Sequence, residues 1–93
     1  YVRMKFEWDA KKNRANQEKH GLTFEKAQQA FFDPHRIILE DTKHSADEQR
    51  YFCIGLVEGL VATIRYTTRD DRIRIIGAGY WRTGKRMYFR EEL

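Results

Sequence analysis

The chain predicts an α+β fold: an N-terminal αα-hairpin packed on a small antiparallel β-sheet, with a short helix closing the C-terminus. Two observations carry this expectation. Two capped helical segments lie close together before residue 35, and three β-rich runs joined by very short links follow residue 49.

Lys5 to Trp8 reads as a short strand whose Phe6 and Trp8 alternate with Glu7, so that both aromatics can enter the core. Asp9 offers an N-cap for a helix from Ala10 to about Lys19, and Gly21 supplies the left-handed residue that ends it. Thr23 is a second N-cap. Phe24, Ala27, Ala30 and Phe31 repeat at helical spacing, and Asp33-Pro34 stops that helix. Arg36 to Leu39 reads as a strand, and Asp41 to Gln49 as a polar loop in which Asp41, Asp47 and Glu48 are solvating charges. Arg50 to Val57 and Leu60 to Thr67 are joined through Glu58-Gly59 and read as a hairpin. Arg69-Asp70-Asp71 turns the chain into a last strand, Arg72 to Gly77. Strands linked so tightly must pair antiparallel, because a parallel crossover needs about a dozen residues or more. Arg82 to Leu93 is the closing helix, its first turn weakened by Gly84.

Alternation along the last strand puts Ile73, Ile75 and Gly77 on one face and Arg72, Arg74 and Ile76 on the other. Arg65 likewise falls opposite Ile64 and Tyr66. The apolar faces cover the helices, so an arginine-bearing sheet face looks outward, a bed suited to single-stranded RNA.

Ninety-three residues make one domain over 1–93 with a thin core, and Met4 reads as the natural start after residues 1–3. The net charge of +4 favours anionic partners. Its distribution is polar: six Lys/Arg against three acids up to His20, four against six from Gly21 to Arg50, and seven against four from Arg69 onward. Cys53 is the single cysteine and, between Phe52 and Ile54, reads as a buried thiol in a reducing compartment. No signal peptide or membrane-spanning run is evident, so the expectation is a cytoplasmic protein without a membrane partner. His35 and His44 match no metal-ligand spacing, and neither a metal nor a cofactor is expected.

Phe6-Glu7-Trp8-Asp9, Asn16, Lys19-His20-Gly21, Phe24, Ala27, Phe31, Asp33-Pro34, Glu48, Arg50, Gly55, Thr67 to Arg69, the Arg72 to Ile76 strand and Tyr88 form an ordered series. This series resembles the BrnT-type toxins of bacterial type II toxin-antitoxin pairs over about Met4 to Tyr88. The resemblance implies a RelE-like fold and an RNA-cleaving growth inhibitor. It also implies neutralisation by a ribbon-helix-helix, BrnA-type antitoxin, with operator DNA bound only through that antitoxin. Many relatives follow the strand with Ser-Ala-Arg, where this chain has Gly77-Ala78-Gly79-Tyr80-Trp81, so an arginine that some relatives place at position 79 is absent.

RNA is cleaved without metal when the 2′-hydroxyl attacks the adjacent phosphate, which requires a base, a stabiliser of the phosphorane charge and an acid. Arg69, at a turn between strands, suits the second task and matches an arginine that the family associates with toxicity. Tyr88 matches a near-terminal family tyrosine; it either serves the reaction by stacking or proton donation, or anchors the last helix. Glu91, one helical turn on, is a candidate base, and His20 is either an acid-base group or a cap at the end of its helix. Lys19, Arg65, Arg72, Arg74, Arg82, Lys85 and Arg86 are the expected RNA contacts. Tyr80 and Trp81 are open to base stacking, antitoxin contact or core packing. A second reading of the chain is a non-catalytic RNA- or partner-binding module that acts as an assembly or co-repressor subunit.

Overall fold

Strand and helix follow one another closely from the first described residues of the computed structural model, which describes residues 4–90. The elements are β1 (Lys5–Trp8), α1 (Ala10–His20), α2 (Phe24–Ala27), a 3-10 helix (Gln28–Phe32), β2 (Ile37–Glu40), a 3-10 turn (Thr42–His44), β3 (Arg50–Val57), β4 (Leu60–Arg69), β5 (Arg72–Gly79) and α3 (Arg82–Phe89). The strands form one sheet in the order β1-β5-β4-β3-β2.

Two parts of the expected architecture are corrected. The N-terminus is not an αα-hairpin, because α2 lasts only four residues before the chain tightens into the 3-10 helix. Phe24, Ala27, Ala30 and Phe31 are all buried, and a short α-turn followed by a 3-10 helix keeps them on one face as a continuous α-helix would. Nor is the sheet purely antiparallel, since β1 pairs parallel with β5, Phe6 opposite Ile73 and Trp8 opposite Ile75. The short-link argument holds for β3, β4 and β5; between β1 and β5 the chain is long enough for a crossover. The described residues form a small α+β fold with a five-stranded mixed sheet and three α-helices.

The expected caps are present. Asp9 accepts from the Lys11 and Lys12 amides at 2.9 and 3.0 Å, Thr23 accepts from Lys26, and Gly21 ends α1 at φ 69°. On one face of the sheet Phe24, Phe31, Cys53, Ile64, Tyr66 and Ile75 form the core, with Phe6 and Trp8 packed against it as their alternation requires. Phe31 meets Tyr66 edge-on at 5.0 Å and Phe6 at 5.3 Å. Burial pushes the Cys53 thiol up to about 12, so it is an inert core group.

Helix α1 buries no residue. It is held by two asparagines one turn apart. The Asn13 carbonyl accepts from the Phe24 amide at 2.8 Å. Asn16 donates to Leu22 O and Ala78 O and accepts from Ala78 N, at 2.8, 2.9 and 3.1 Å. Because β1 stops opposite Ile75, the Asn16 amide pairs with the β5 edge as a neighbouring strand would.

On the other face, α3 approaches β4 so closely at Gly84 that a β-carbon there would collide with Thr63. The glycine that weakens the helix is what lets it dock. A bulge on β5 pairs Tyr66 with Ile75 but Arg65 with Gly77, so the buried positions are Ile75 and Ala78, and Gly77 leaves the phase of Ile73 and Ile75.

Candidate nucleic-acid interface

The face opposite the Phe31 core carries the arginines. Arg50, Thr67 and Arg74 stand in register across β3, β4 and β5, and Phe52, Arg65 and Gly77 form the adjoining row. Arg50, Arg65 and Arg74 thus surround Thr67, which is buried beneath them and donates its hydroxyl to Gln49 O at 2.7 Å. Buried Nε groups of Arg50 and Arg65 have no hydrogen-bond partner. An unmet buried donor of this kind is costly.

The other basic side chains sort by whether acids neutralise them. Glu7 on β1 takes both Arg74, at 3.0 Å, and Arg72, at 3.6 Å. Arg69 is gripped by Glu48 through its Nε and Nη2, at 3.2 Å each to Oε2, rather than by Asp70 or Asp71. Lys12, Lys19, His20, Arg65 and Trp81 line a concavity of about 530 Å³ beside the β5 bulge; no carboxylate lines it, although Arg65 also reaches Asp41 outside it at 3.7 Å. His20 sits edge-on to Trp81 at 5.3 Å. The indole folds back against Gly79, where a β-carbon would lie 2.6 Å from the ring. The absence of a side chain at residue 79, where some relatives were expected to carry arginine, is therefore what lets Trp81 wall this site.

A second concavity lies between the β3–β4 turn and α3. It is lined by Leu60, Tyr80, Trp81, Arg82, Lys85 and Arg86 among others, again without an acid. Leu60 is 60% exposed and Phe89, also on its wall, 54%. Trp81 belongs to both concavities.

Tyr88 is an anchor in this geometry. Its hydroxyl donates to Asp33 Oδ2 at 2.6 Å; the buried Asp33 also accepts from the Leu56 amide at 2.9 Å and the His35 amide at 2.8 Å, tying α3 to β3 and the β2 approach. Burial opposes the Asp33 charge, yet the Tyr88 hydroxyl and the two amides hold its carboxyl below the usual range. The same bond, with burial, pushes Tyr88 up to about 12.

The expected site residues therefore fall in several places. Lys19, His20, Arg65 and Trp81 come together. Arg82, Lys85, Arg86 and Tyr80 share the α3 concavity, and Arg69 and Arg72 occupy the β4–β5 turn with Lys5. Arg69 is four residues along β4 from Arg65, about 13 Å at the ordinary strand rise. Glu91 lies outside the described residues. Among the described residues, no group of three His, Cys, Asp or Glu side chains is placed to hold a metal ion, and no helix is long and apolar enough to cross a membrane.

Sequence reasoning missed Arg50 and the pair Asp41–His44. Asp41 is only 5% exposed, not a solvating charge. His44 Nδ1 lies 2.9 Å from Asp41 Oδ2, and Arg65 Nη2 is 3.7 Å from the same oxygen. The signal was the three-residue spacing, which one 3-10 turn brings together.

Comparison with curated proteins gives no match. A family model does match, over residues 8–84, described as the ribonuclease toxin BrnT of type II toxin-antitoxin systems. The match spans most of the 93 residues and covers β2 to β5, α1, α2 and the start of α3, with only the last residue of β1. The chain belongs to the BrnT family of type II toxin-antitoxin ribonuclease toxins.

Proposed function

We propose that this chain is an endoribonuclease toxin that cleaves single-stranded RNA by attack of the 2′-hydroxyl on the adjacent phosphate, without metal. It inhibits growth by destroying translatable RNA. The observation that carries this reading is the acid-free concavity of Lys12, Lys19, His20, Arg65 and Trp81. Its cations suit a phosphodiester backbone, and an aromatic wall suits a base stacked beside it. Arg65, a partly exposed guanidinium at a fixed strand position on the wall of the concavity, is the group best disposed to meet charge developing on the phosphorane. Arg50 and Arg74 extend the track along the sheet, and Arg69 and Arg72 hold RNA further along it after exchanging Glu48 and Glu7 for phosphate.

The antitoxin, of the ribbon-helix-helix class and responsible for operator binding, lays an acidic amphipathic segment into the α3 concavity. Exposed Leu60, Tyr80 and Phe89 give it apolar anchors, and Arg82, Lys85 and Arg86 give it charge complementarity. Because Trp81 belongs to both concavities, that segment also covers a wall of the RNA site, which neutralises by occlusion.

The test is incubation of end-labelled RNA with wild-type protein and with Arg65→Ala, in excess EDTA. Discrete fragments ending in 2′,3′-cyclic phosphate are expected from wild type, with a rate loss of about 100-fold or more for the variant. Binding of RNA without any fragments would instead favour a non-catalytic binding module.

A further inference from the structure

Beside the arginine-bearing face lies an Asp–His pair. His44 Nδ1 is 2.9 Å from Asp41 Oδ2, and the two side chains differ sharply in exposure, 52% for His44 against 5% for Asp41. A carboxylate only accepts, so Nδ1 carries the proton in this bond, and the neutral ring then presents the lone pair of Nε2. Among the described residues nothing bonds Nε2, and the ring as a whole is half-exposed.

Asp41 is held firmly enough to fix this ring. Its amide donates to Arg50 O at 2.7 Å, continuing the β2–β3 pairing beyond Glu40. Its carbonyl accepts from the Ser45 hydroxyl at 2.6 Å, and the Ser45 oxygen in turn accepts from the Arg50 amide at 3.0 Å. The loop that carries His44 is thereby stitched to the strand that carries Arg50. Arg65 reaches the same Asp41 oxygen at 3.7 Å while also lining the Lys19 concavity. One arginine thus joins the pair to the proposed RNA track.

We propose that His44 is the general base of the cleavage reaction and Asp41 its positioning residue, an inference that rests on the ribonuclease reading above. His44 Nε2 takes the 2′-hydroxyl proton as the 2′-oxygen forms its bond to phosphorus, with Arg65 and Arg50 against the phosphorane oxygens. The P–O5′ bond breaks with its electron pair on O5′. That oxygen takes a proton from water, and the hydroxide formed takes the proton held on His44. The products are a 2′,3′-cyclic phosphate and a 5′-hydroxyl, with one proton moved overall and no oxidant or co-reactant consumed. Asp41 keeps Nδ1 protonated, so that Nε2 and not Nδ1 accepts.

The experiment is single-turnover cleavage of end-labelled RNA by wild type, His44→Ala, His44→Gln and Asp41→Asn at saturating protein, with binding measured separately on RNA lacking the reacting 2′-hydroxyl. Both His44 variants are expected to bind within about twofold of wild type and to cleave about 100-fold or more slowly, the scale of a lost general base. Added imidazole is expected to restore part of the His44→Ala rate and none of the Asp41→Asn rate. Asp41→Asn is expected to lower the rate at saturation while leaving half-saturation unchanged. A 5′-thio leaving group, which needs no proton, is expected to leave His44→Ala just as impaired relative to wild type. Recovery with that substrate would overturn the base assignment. Wild-type rates in both His44 variants would overturn the whole inference while leaving the ribonuclease standing, and absence of wild-type cleavage would overturn both.

Discussion

Tyr88 fastens α3 to the sheet through Asp33. Its hydroxyl is spent on Asp33, so Tyr88→Phe removes a hydrogen bond to a charged, buried acceptor and is expected to cost about 1.5–3 kcal/mol of stability at pH 7. The pH dependence has a definite sign. Asp33 is held below its ordinary range, so its share is full above the unfolded value of about 4 and disappears as pH falls through the lower folded value. Tyr88 is raised to about 12, so its share is full below about 10 and disappears as pH rises through 12. The Tyr88–Asp33 bond enters both shifts and counts once, while the His35 and Leu56 amides add to the Asp33 shift alone. Urea unfolding of wild type and Tyr88→Phe across pH should show their gap widest near neutrality, and a gap independent of pH would contradict the bond. Asp41 and His44 mark what a linear reading loses at this scale. A carboxylate in a polar loop looks solvated until the loop is seen stitched to β3 through Ser45 and Arg50.

At the scale of elements, the caps, the hairpin and the outward arginines were legible because each is set by neighbours in sequence: Asp9 and Gly21 at the ends of α1, Glu58-Gly59 between β3 and β4. What was not legible depended on contacts distant in sequence. The parallel pairing of β1 with β5 and the bulge opposite Arg65 have no local signature. Helix α1 is the sharpest case, since it has no apolar face and depends on Asn13 and Asn16. Asn16→Ala leaves the buried Ala78 and Leu22 backbone groups without their partners and is expected to destabilise the fold by about 2–4 kcal/mol. Chemical denaturation measures this, and because Lys19 and His20 ride on the same helix, RNA affinity should fall with it. A variant as stable as wild type would mean that α1 is held by something other than its asparagines.

For the whole molecule, the sheet separates two tasks. One face, with Phe24, Phe31, Ile64 and Ile75, supplies stability; the other, with Arg50, Arg65 and Arg74, supplies a charged surface that extends into the concavity under α1 and Trp81. The basic ends seen in the sequence meet in this fold, since His20 and Trp81 touch. That meeting explains why Lys19, His20 and Arg65 could be named from sequence and yet not assembled into a site. Arg69 remained attractive in sequence because its partner Glu48 lies twenty-one positions away. The central claim is that the acid-free concavity, and not the β4–β5 turn by itself, is where RNA is chiefly held. Its most direct test is titration of isotope-labelled protein with an RNA lacking the reacting 2′-hydroxyl, following backbone amide and indole N–H resonances. Shifts concentrated at Lys19, His20, Arg65, Ile76, Gly77 and the Trp81 indole are the expected result. Shifts confined to Lys5 and the Arg69–Arg72 turn, with the Trp81 indole unmoved, would contradict it.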